Sequence, residues 1–330
     1  MVLEEPRSPL RLVDREKPAP DEQEILVRVT ACGVCRTDLH VLDGELDQTE
    51  YPIIPGHQVV GIIEALGSGV SGFEIGGRVG VPWLGFSCGR CDQCRREREN
   101  LCPDARYMGC QIDGGFAEYC VANHRYCFRL PERYSDLQVA PLLCAGLIGY
   151  RAWGMLEGAV HVGFMGFGAS AHILTQVARS QGASIYAFTR SGDTSAQRFA
   201  LELGAIWAGS SEQSPDRDLD AVIIFAPVGE LVPRALELIR PGGRVVCAGI
   251  HMSDIPSFSY DLLWQERSLC SVANLTRSDG IEFLSVAENV AIETEVHAYP
   301  LEQTNRALED LRQGEFTGAA VIQISQDGEV

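Results

Sequence analysis

Ten positions near the start of the chain concentrate unusual chemistry. "ACGVCRTDLH", residues 31–40, holds two cysteines, an arginine, a threonine, an aspartate and a histidine. Thiols and imidazoles bind metal ions, and a hydroxyl beside an imidazole can pass a proton, so the stretch suits a metal site with a proton route. A second cluster, "CGRCDQCRRERENLC", spaces Cys88, Cys91, Cys94 and Cys102 so that two overlapping C-x-x-C knuckles and a later cysteine can close a tetrahedron of thiolates around zinc. Four sulfurs leave no open position, so that zinc is structural. Arg90, Arg95, Arg96 and Arg98 surround it, but Glu97 and Glu99 interleave them, which predicts a solvated face and no phosphate-binding patch. Two isolated stretches, "IIPGHQVVG" around His57 and "PLLCAGLIGY" around Cys144, add one imidazole and one thiol. Taken singly, a histidine after Pro-Gly reads as a turn residue and a cysteine in "LLCAG" as a core residue.

The other chemical signal is a glycine turn. "VGFMGFGASAH" supplies Gly166, Gly168 and Ala171 in a G-x-G-x-x-A pattern between an apolar strand run and a helical stretch. Such glycines let the backbone approach a pyrophosphate while the helix N-terminus favours its charge. The next strand run, "SIYAFTRSGD", ends in Thr189, Arg190 and Ser191, where a dinucleotide fold with an acidic residue would bind the ribose of NAD. Two hydroxyls and a guanidinium suit the 2′-phosphate of NADP, so NADP is expected over NAD, unless Asp193 reaches back to the ribose.

These groups need elements to hold them. At 330 residues the chain is long enough for two domains. From "EILVRVTACGVC" to "EYCVANHRYCFRL" short β-branched runs are broken by Gly, Pro and Asp, which predicts a mostly β half. After Pro141, "VHVGFMGF", "SIYAFT", "LDAVIIFA" and "GRVVCAGI" alternate with helical stretches such as "HILTQVARSQ" and "TSAQRFALELG", the pattern of a parallel, doubly wound sheet. Near Asn274 that pattern stops, and the tail predicts a helix over "LEQTNRALEDLRQG" and a last strand "AAVIQI". A net charge of -18 repels phosphate backbones and anionic membranes, so neither nucleic acid nor a membrane is an expected partner. No apolar run reaches the roughly 18 residues of a spanning helix. "MVLEEPRSPL" lacks the basic start and apolar run of a secretory signal, so the cytoplasm is the expected compartment, where twelve cysteines suit metal ligands and buried thiols better than disulfides. Cys32, Cys110, Cys120, Cys127, Cys247 and Cys270 are read as structural thiols.

The order of these stretches around the cysteine lobe, followed by a nucleotide-binding half, resembles the zinc-dependent alcohol dehydrogenases of the medium-chain dehydrogenase/reductase superfamily over essentially the whole chain. The resemblance implies an α/β fold: a β-rich GroES-like catalytic domain over residues 1–143 and 275–330, and a doubly wound Rossmann domain over residues 144–274. It implies that Cys35, His57 and Cys144 bind a catalytic zinc, a second zinc per chain beside that of the lobe. Two thiolates and an imidazole with a fourth place open are in any case a catalytic zinc set. It implies further that Arg36 meets the cofactor pyrophosphate, Thr37 bonds the alcohol oxygen, Asp38 orients a zinc-ligand histidine and His40 hands the proton to solvent. Trp83 and Leu42 line the alcohol pocket on the same ground. The implied reaction is reversible hydride transfer between a primary or secondary alcohol and NAD(P), with the alkoxide on zinc, aldehyde or ketone as product, and a homodimer or homotetramer as the assembly. Several positions depart from the family pattern: Gln58 replaces a usual Glu after the histidine, Ile148 a usual Thr, Gly77 a usual Asp and Ala319 a usual Arg. Two rivals therefore stand beside this reading: a zinc-independent quinone or enone reductase of the same superfamily, and a catalytically weak zinc- or nucleotide-binding protein.

Overall fold

In the computed structural model, which describes residues 1–324, the first strand is β1 (Glu24–Val34), whose burial, broken only at Glu24 and Arg28, matches its β-branched run. A helix follows at once, α1 (Arg36–Asp43). Cys35 caps it in an extended conformation, its sulfur accepting the Thr37 N–H at 3.3 Å, while the Asp38 carboxylate accepts the Cys35 N–H at 2.9 Å. Gly44, left-handed at φ 71°, ends the helix and bonds back to the carbonyls of His40 and Val41. Strands β2 (Val59–Leu66), β3 (Arg78–Val81) and β4 (Leu84–Phe86) come next, then the one-turn helix α2 (Asp92–Arg95), capped by Cys91. Strands β5 (Arg106–Tyr107), β6 (Tyr119–Asn123) and β7 (Phe128–Arg129) and the short helix α3 (Asp136–Val139) complete this stretch.

The middle of the chain mostly alternates helix and strand. Helix α4 (Ala145–Gly154) leads to β8 (His161–Met165), α5 (Ala169–Ser180), β9 (Ser184–Thr189), α6 (Thr194–Glu202), β10 (Trp207–Ser210), β11 (Leu219–Ile224), α7 (Leu231–Leu238), β12 (Ile239–Cys247) and β13 (Ser268–Ser271). The six strands form one parallel sheet in the order β10-β9-β8-β11-β12-β13. Chain connection reverses direction beside β8, which is where an open doubly wound sheet binds its ligand, at the carboxyl ends of the strands. Strands β8, β9 and β11 are almost wholly buried, as their unbroken apolar runs require when helices cover both faces.

The chain then returns through α8 (Arg277–Asn289), β14 (Val296–Pro300), α9 (Thr304–Gln313) and β15 (Ala319–Gln323). The last two strands join the β-rich sheet, in the order β14-β15-β1-β2-β3-β7 with β6 also paired to β1. Two compact units result: Met1–Ala145 with Leu275–Glu288 and the chain from Glu293 on, and Gly146–Asn274 with Asn289–Ile292. In the first, Ile25, Val27, Val29, Val59, Ile63, Val79, Phe116 and Ile322 form the core between β1 and its neighbours. In the second, Met165, Phe188, Val222, Ile224 and Leu236 do so. Among the described residues no helix is long and apolar enough to cross a membrane.

Candidate active site

Cys35, at the junction of β1 and α1, His57, just before β2, and Cys144, at the end of a 3-10 turn, bring their donor atoms together in the β-rich unit. His57 Nε2 lies 3.2 Å from Cys35 Sγ and 3.3 Å from Cys144 Sγ, and the two sulfurs are 3.8 Å apart. Zinc bonds of about 2.3 Å to sulfur and about 2.0 Å to nitrogen, at tetrahedral angles, put donors about 3.5 to 3.8 Å apart, so this triangle fits zinc with one corner left over. The ring of His57 is held from behind. Its Nδ1 donates to Asp38 Oδ1 at 3.0 Å, and both side chains are buried, at 0% and 2% exposure. A carboxylate on Nδ1 directs Nε2 at the metal position.

The charges suit a cation. Burial alone would lower the pKa of His57, yet the neighbouring Asp38 and Cys35 raise it to about 10. Burial pushes the Asp38 carboxyl up while His57 pulls it down. A hydrogen bond with Cys144 holds the Cys35 thiol well below its usual range, and the same contact together with burial raises Cys144. Without metal the pocket therefore keeps protons on His57 and Cys144 and leaves Cys35 as the thiolate. Metal binding releases protons of this kind.

Around this triangle stand the remaining residues of the decapeptide. Arg36 is exposed at the start of α1, Thr37 is half-buried, and Asp38 is enclosed. His40, one turn further, meets the carboxylate of Glu45 through Nδ1 at 2.5 Å, a partner the sequence reading missed. The turn at Gly44 brings Glu45 back, its N–H bonding the His40 carbonyl at 2.9 Å. Trp83 is 6% exposed and meets the His57 ring edge-on, centroids 4.9 Å apart at 77°. Leu42 packs against the core of the β-rich unit. Gln58 is buried, and its Nε2 has no hydrogen-bond partner; its amide lies over Gly33, where a Cβ would come within 2.8 Å of it.

The four-cysteine lobe assembles as its spacing predicts. The sulfurs of Cys88, Cys91, Cys94 and Cys102 lie within 4.8 Å of one another, a closed set that fits zinc. Backbone amides of Arg90 and Cys91 lower the Cys88 thiol to about 7, whereas burial raises Cys102 to about 12. The solvated face needs one correction. Arg90, Arg95, Arg96, Arg98 and Glu97 are exposed, but Glu99 is buried at 3% and binds the backbone N–H and Nε of Arg277 at 2.9 and 3.0 Å. Charge alternation along a sequence says nothing of a carboxylate that turns inward to start a helix. The six remaining thiols are buried or half-buried, and none belongs to a metal-sized cluster among the described residues.

In the second unit Gly166 adopts φ 92°, and a Cβ there would come within 2.8 Å of the Ala226 nitrogen, so only glycine fits. Gly168 faces open space, and as N-cap of α5 it leaves the first amides of that helix without a side-chain cap. Ala171 is fully buried. This is a cradle that an anionic group can enter. At the end of β9, Arg190 and Ser191 are exposed, but Thr189 is not available. Its hydroxyl donates to the Arg190 and Gly209 carbonyls and accepts from Gln197 Nε2, because Thr189 is the last residue of a strand buried on both faces. Asp193, the alternative ribose ligand, caps α6 by accepting the Ala196 N–H at 3.0 Å.

Comparison with known proteins agrees with this geometry. The alcohol dehydrogenase GroES-like domain matches residues 21–132. "Probable alcohol dehydrogenase AdhA" of Mycobacterium tuberculosis is 47% identical over 324 residues, 96% of this chain and 93% of that protein. An alcohol dehydrogenase of Geobacillus stearothermophilus is 32% identical over 338 residues, 99% of each chain. Among solved structures, a "putative zinc-binding dehydrogenase" of Sinorhizobium meliloti 1021 bound to NADP is 25% identical with a TM-score of 0.83, covering 93% of this chain and 94% of that one.

Proposed function

The chain belongs to the zinc-dependent alcohol dehydrogenases of the medium-chain dehydrogenase/reductase superfamily, and on that footing we propose that it interconverts primary or secondary alcohols with aldehydes or ketones, using NADP. The observation that carries the reading is the buried triangle of Cys35, His57 and Cys144 with Asp38 behind it. Zinc, when bound there, supplies a Lewis acid that brings a hydroxyl from a pKa near 16 toward about 7. The chain's own residues do the rest. Thr37 orients the reacting hydroxyl, and His40, steadied at Nδ1 by Glu45, delivers the proton to solvent. Arg36, at the open end of α1, pairs with the pyrophosphate, and Gly166 and Gly168 admit it to the N-terminus of α5 above Ala171. Arg190 and Ser191 bind the 2′-phosphate; Thr189, turned inward, does not. Cys88, Cys91, Cys94 and Cys102 hold a second, structural zinc. Gln58, next in sequence to His57, carries no charge where a glutamate would, so a metal held by Cys35, His57 and Cys144 would be more electrophilic and would exchange its ligands more slowly. The protein works in the cytoplasm as a homodimer or homotetramer, on small molecules and without nucleic acid or membrane.

One set of assays tests this. The zinc-loaded chain is expected to oxidise alcohols with a higher kcat/KM for NADP than for NAD, and Arg190→Asp is expected to reverse the preference. Zinc-loaded protein without alcohol oxidation defeats the proposal. A native preference for NAD, or a ratio unmoved by Arg190→Asp, defeats the cofactor assignment alone.

A further inference from the structure

The four-cysteine lobe meets the body of the β-rich unit through two buried hydroxyls. Ser87 stands between the end of β4 and Cys88, and Tyr126 ends a 3-10 turn (His124–Tyr126) that follows β6. Both side chains are enclosed, Ser87 at 6% and Tyr126 at 3% exposure. Their oxygens lie 2.7 Å apart, and Ser87 Oγ lies 3.4 Å from Cys94 Sγ. The other sulfurs of the lobe are served by the backbone. Cys91 accepts the Cys94 N–H and Cys102 the Cys88 N–H, each at 3.4 Å, and the amides of Arg90 and Cys91 approach Cys88. Cys94 has the Gly89 amide and, in addition, the Ser87 hydroxyl. Its surroundings therefore depend on residues outside the C-x-x-C pattern.

Counting protons fixes the direction of this relay. A cysteine that ligates metal does so as a thiolate, with no proton to give, so the Ser87 hydroxyl must donate to Cys94. Its one proton is then spent, and the Tyr126 hydroxyl must donate to Ser87 Oγ. Without the ion the Cys94 thiol donates to Ser87 instead, so metal binding reverses the bond. The Arg277 guanidinium lies 5.8 Å over the Tyr126 ring and holds the phenol in place. From this chain we propose that Ser87 and Tyr126 are positioning residues for the structural zinc: they hold Cys94 as a ligand aimed into the lobe and so slow the loss of the ion. The proposal rests on the reading of Cys88, Cys91, Cys94 and Cys102 as a closed zinc set. A donor to a charged sulfur is stronger than one to a neutral acceptor, and partners behind a metal ligand change metal affinity by about 10- to 100-fold.

The experiment mixes the zinc-loaded full chain with excess EDTA and follows its zinc content with time, for wild type, Ser87→Ala, Ser87→Thr and Tyr126→Phe. The same proteins, loaded with cobalt(II), give absorption spectra. Zinc is expected to leave the wild type in two phases, the slow one from the closed lobe. Ser87→Ala is expected to speed the slow phase about 10-fold, Tyr126→Phe about 3-fold, and Ser87→Thr, which keeps a hydroxyl, by less than about 2-fold, with the fast phase unmoved throughout. In the cobalt protein the sulfur-to-metal charge-transfer band is expected to move to longer wavelength in Ser87→Ala, because a thiolate without its donor gives up an electron more readily. In Ser87→Thr it is expected to stay in place. A slow phase within about 2-fold of wild type in Ser87→Ala overturns the proposal. So does a faster slow phase with an unmoved band, which marks the hydroxyls as packing only. If Ser87→Ala does not fold, Tyr126→Phe decides, since it loses one oxygen and keeps its ring: an unmoved slow phase there overturns the relay. A wild-type chain that holds one zinc and shows no slow phase overturns the reading of the lobe itself, and the role of the two hydroxyls falls with it.

Discussion

A histidine that carries protons out of a shielded site matters most where protons are plentiful. His40→Ala is therefore expected to slow alcohol oxidation by about 10²-fold, most below neutral pH, as removal of a general base does. The pH profile of kcat is the check, and an unchanged profile removes His40 from the proton route. At this scale the two donor clusters were legible in advance, because spacing alone joins the four lobe cysteines, and motif context joins Cys35, His57 and Cys144. What stayed hidden was direction. Thr189 and Ser191 look alike in "TRSGD", yet Thr189 ends the buried strand β9 while Ser191 lies in the exposed turn beyond it. Glu99 sits in a run of charges and is nevertheless buried on Arg277, a residue far along the chain. Such facts depend on tertiary partners that no local pattern contains.

Among elements, the parallel strands β8, β9 and β11 were readable because each is buried on both faces and therefore written as an unbroken apolar run, whereas β10 and β13, four residues each and only partly buried, were missed. Helix α1 was not. It is eight residues long and its N-cap is a cysteine, so neither length nor a usual capping residue announces it. Helix α8 was also missed, although Thr276 and Asp279 form a capping pair that the sequence displays. The reciprocal Cys35–Asp38 cap makes α1 part of the site, since one carboxylate both starts the helix and holds His57. Asp38→Ala removes both contacts. It is expected to weaken zinc at Cys35, His57 and Cys144 by about 10- to 100-fold and to leave the four-cysteine zinc untouched. Titration with a chelator that removes one zinc early and the other late measures this, and equal release of both would contradict the separation of the two centres.

For the whole molecule the least expected feature is a histidine with no functional assignment. His172 lies in the first turns of α5, 1% exposed, with Phe199 at 5.8 Å between ring centroids and no hydrogen bond to either ring nitrogen. Burial drives its pKa down to about 4, against weaker opposing contributions from the backbone at Gly168 and Ala169. The folded chain thus keeps this imidazole neutral at a pH where the unfolded chain, near 6.5, has already protonated it. Between these values the unfolded state binds more protons, so stability rises with pH across the window and is lost as pH falls through it. The full loss is roughly 3 kcal/mol, and at pH 5 about 2 kcal/mol of it has appeared. His172→Leu removes the titrating group without adding a polar one. In urea unfolding followed at pH 7.5 and pH 5, the variant is expected to lose about 2 kcal/mol less than the wild type on acidification, the carboxylates contributing equally to both. Parallel losses would mean that His172 takes up its proton in the folded chain as readily as in the unfolded one, and that the aromatic pocket around it admits the charge.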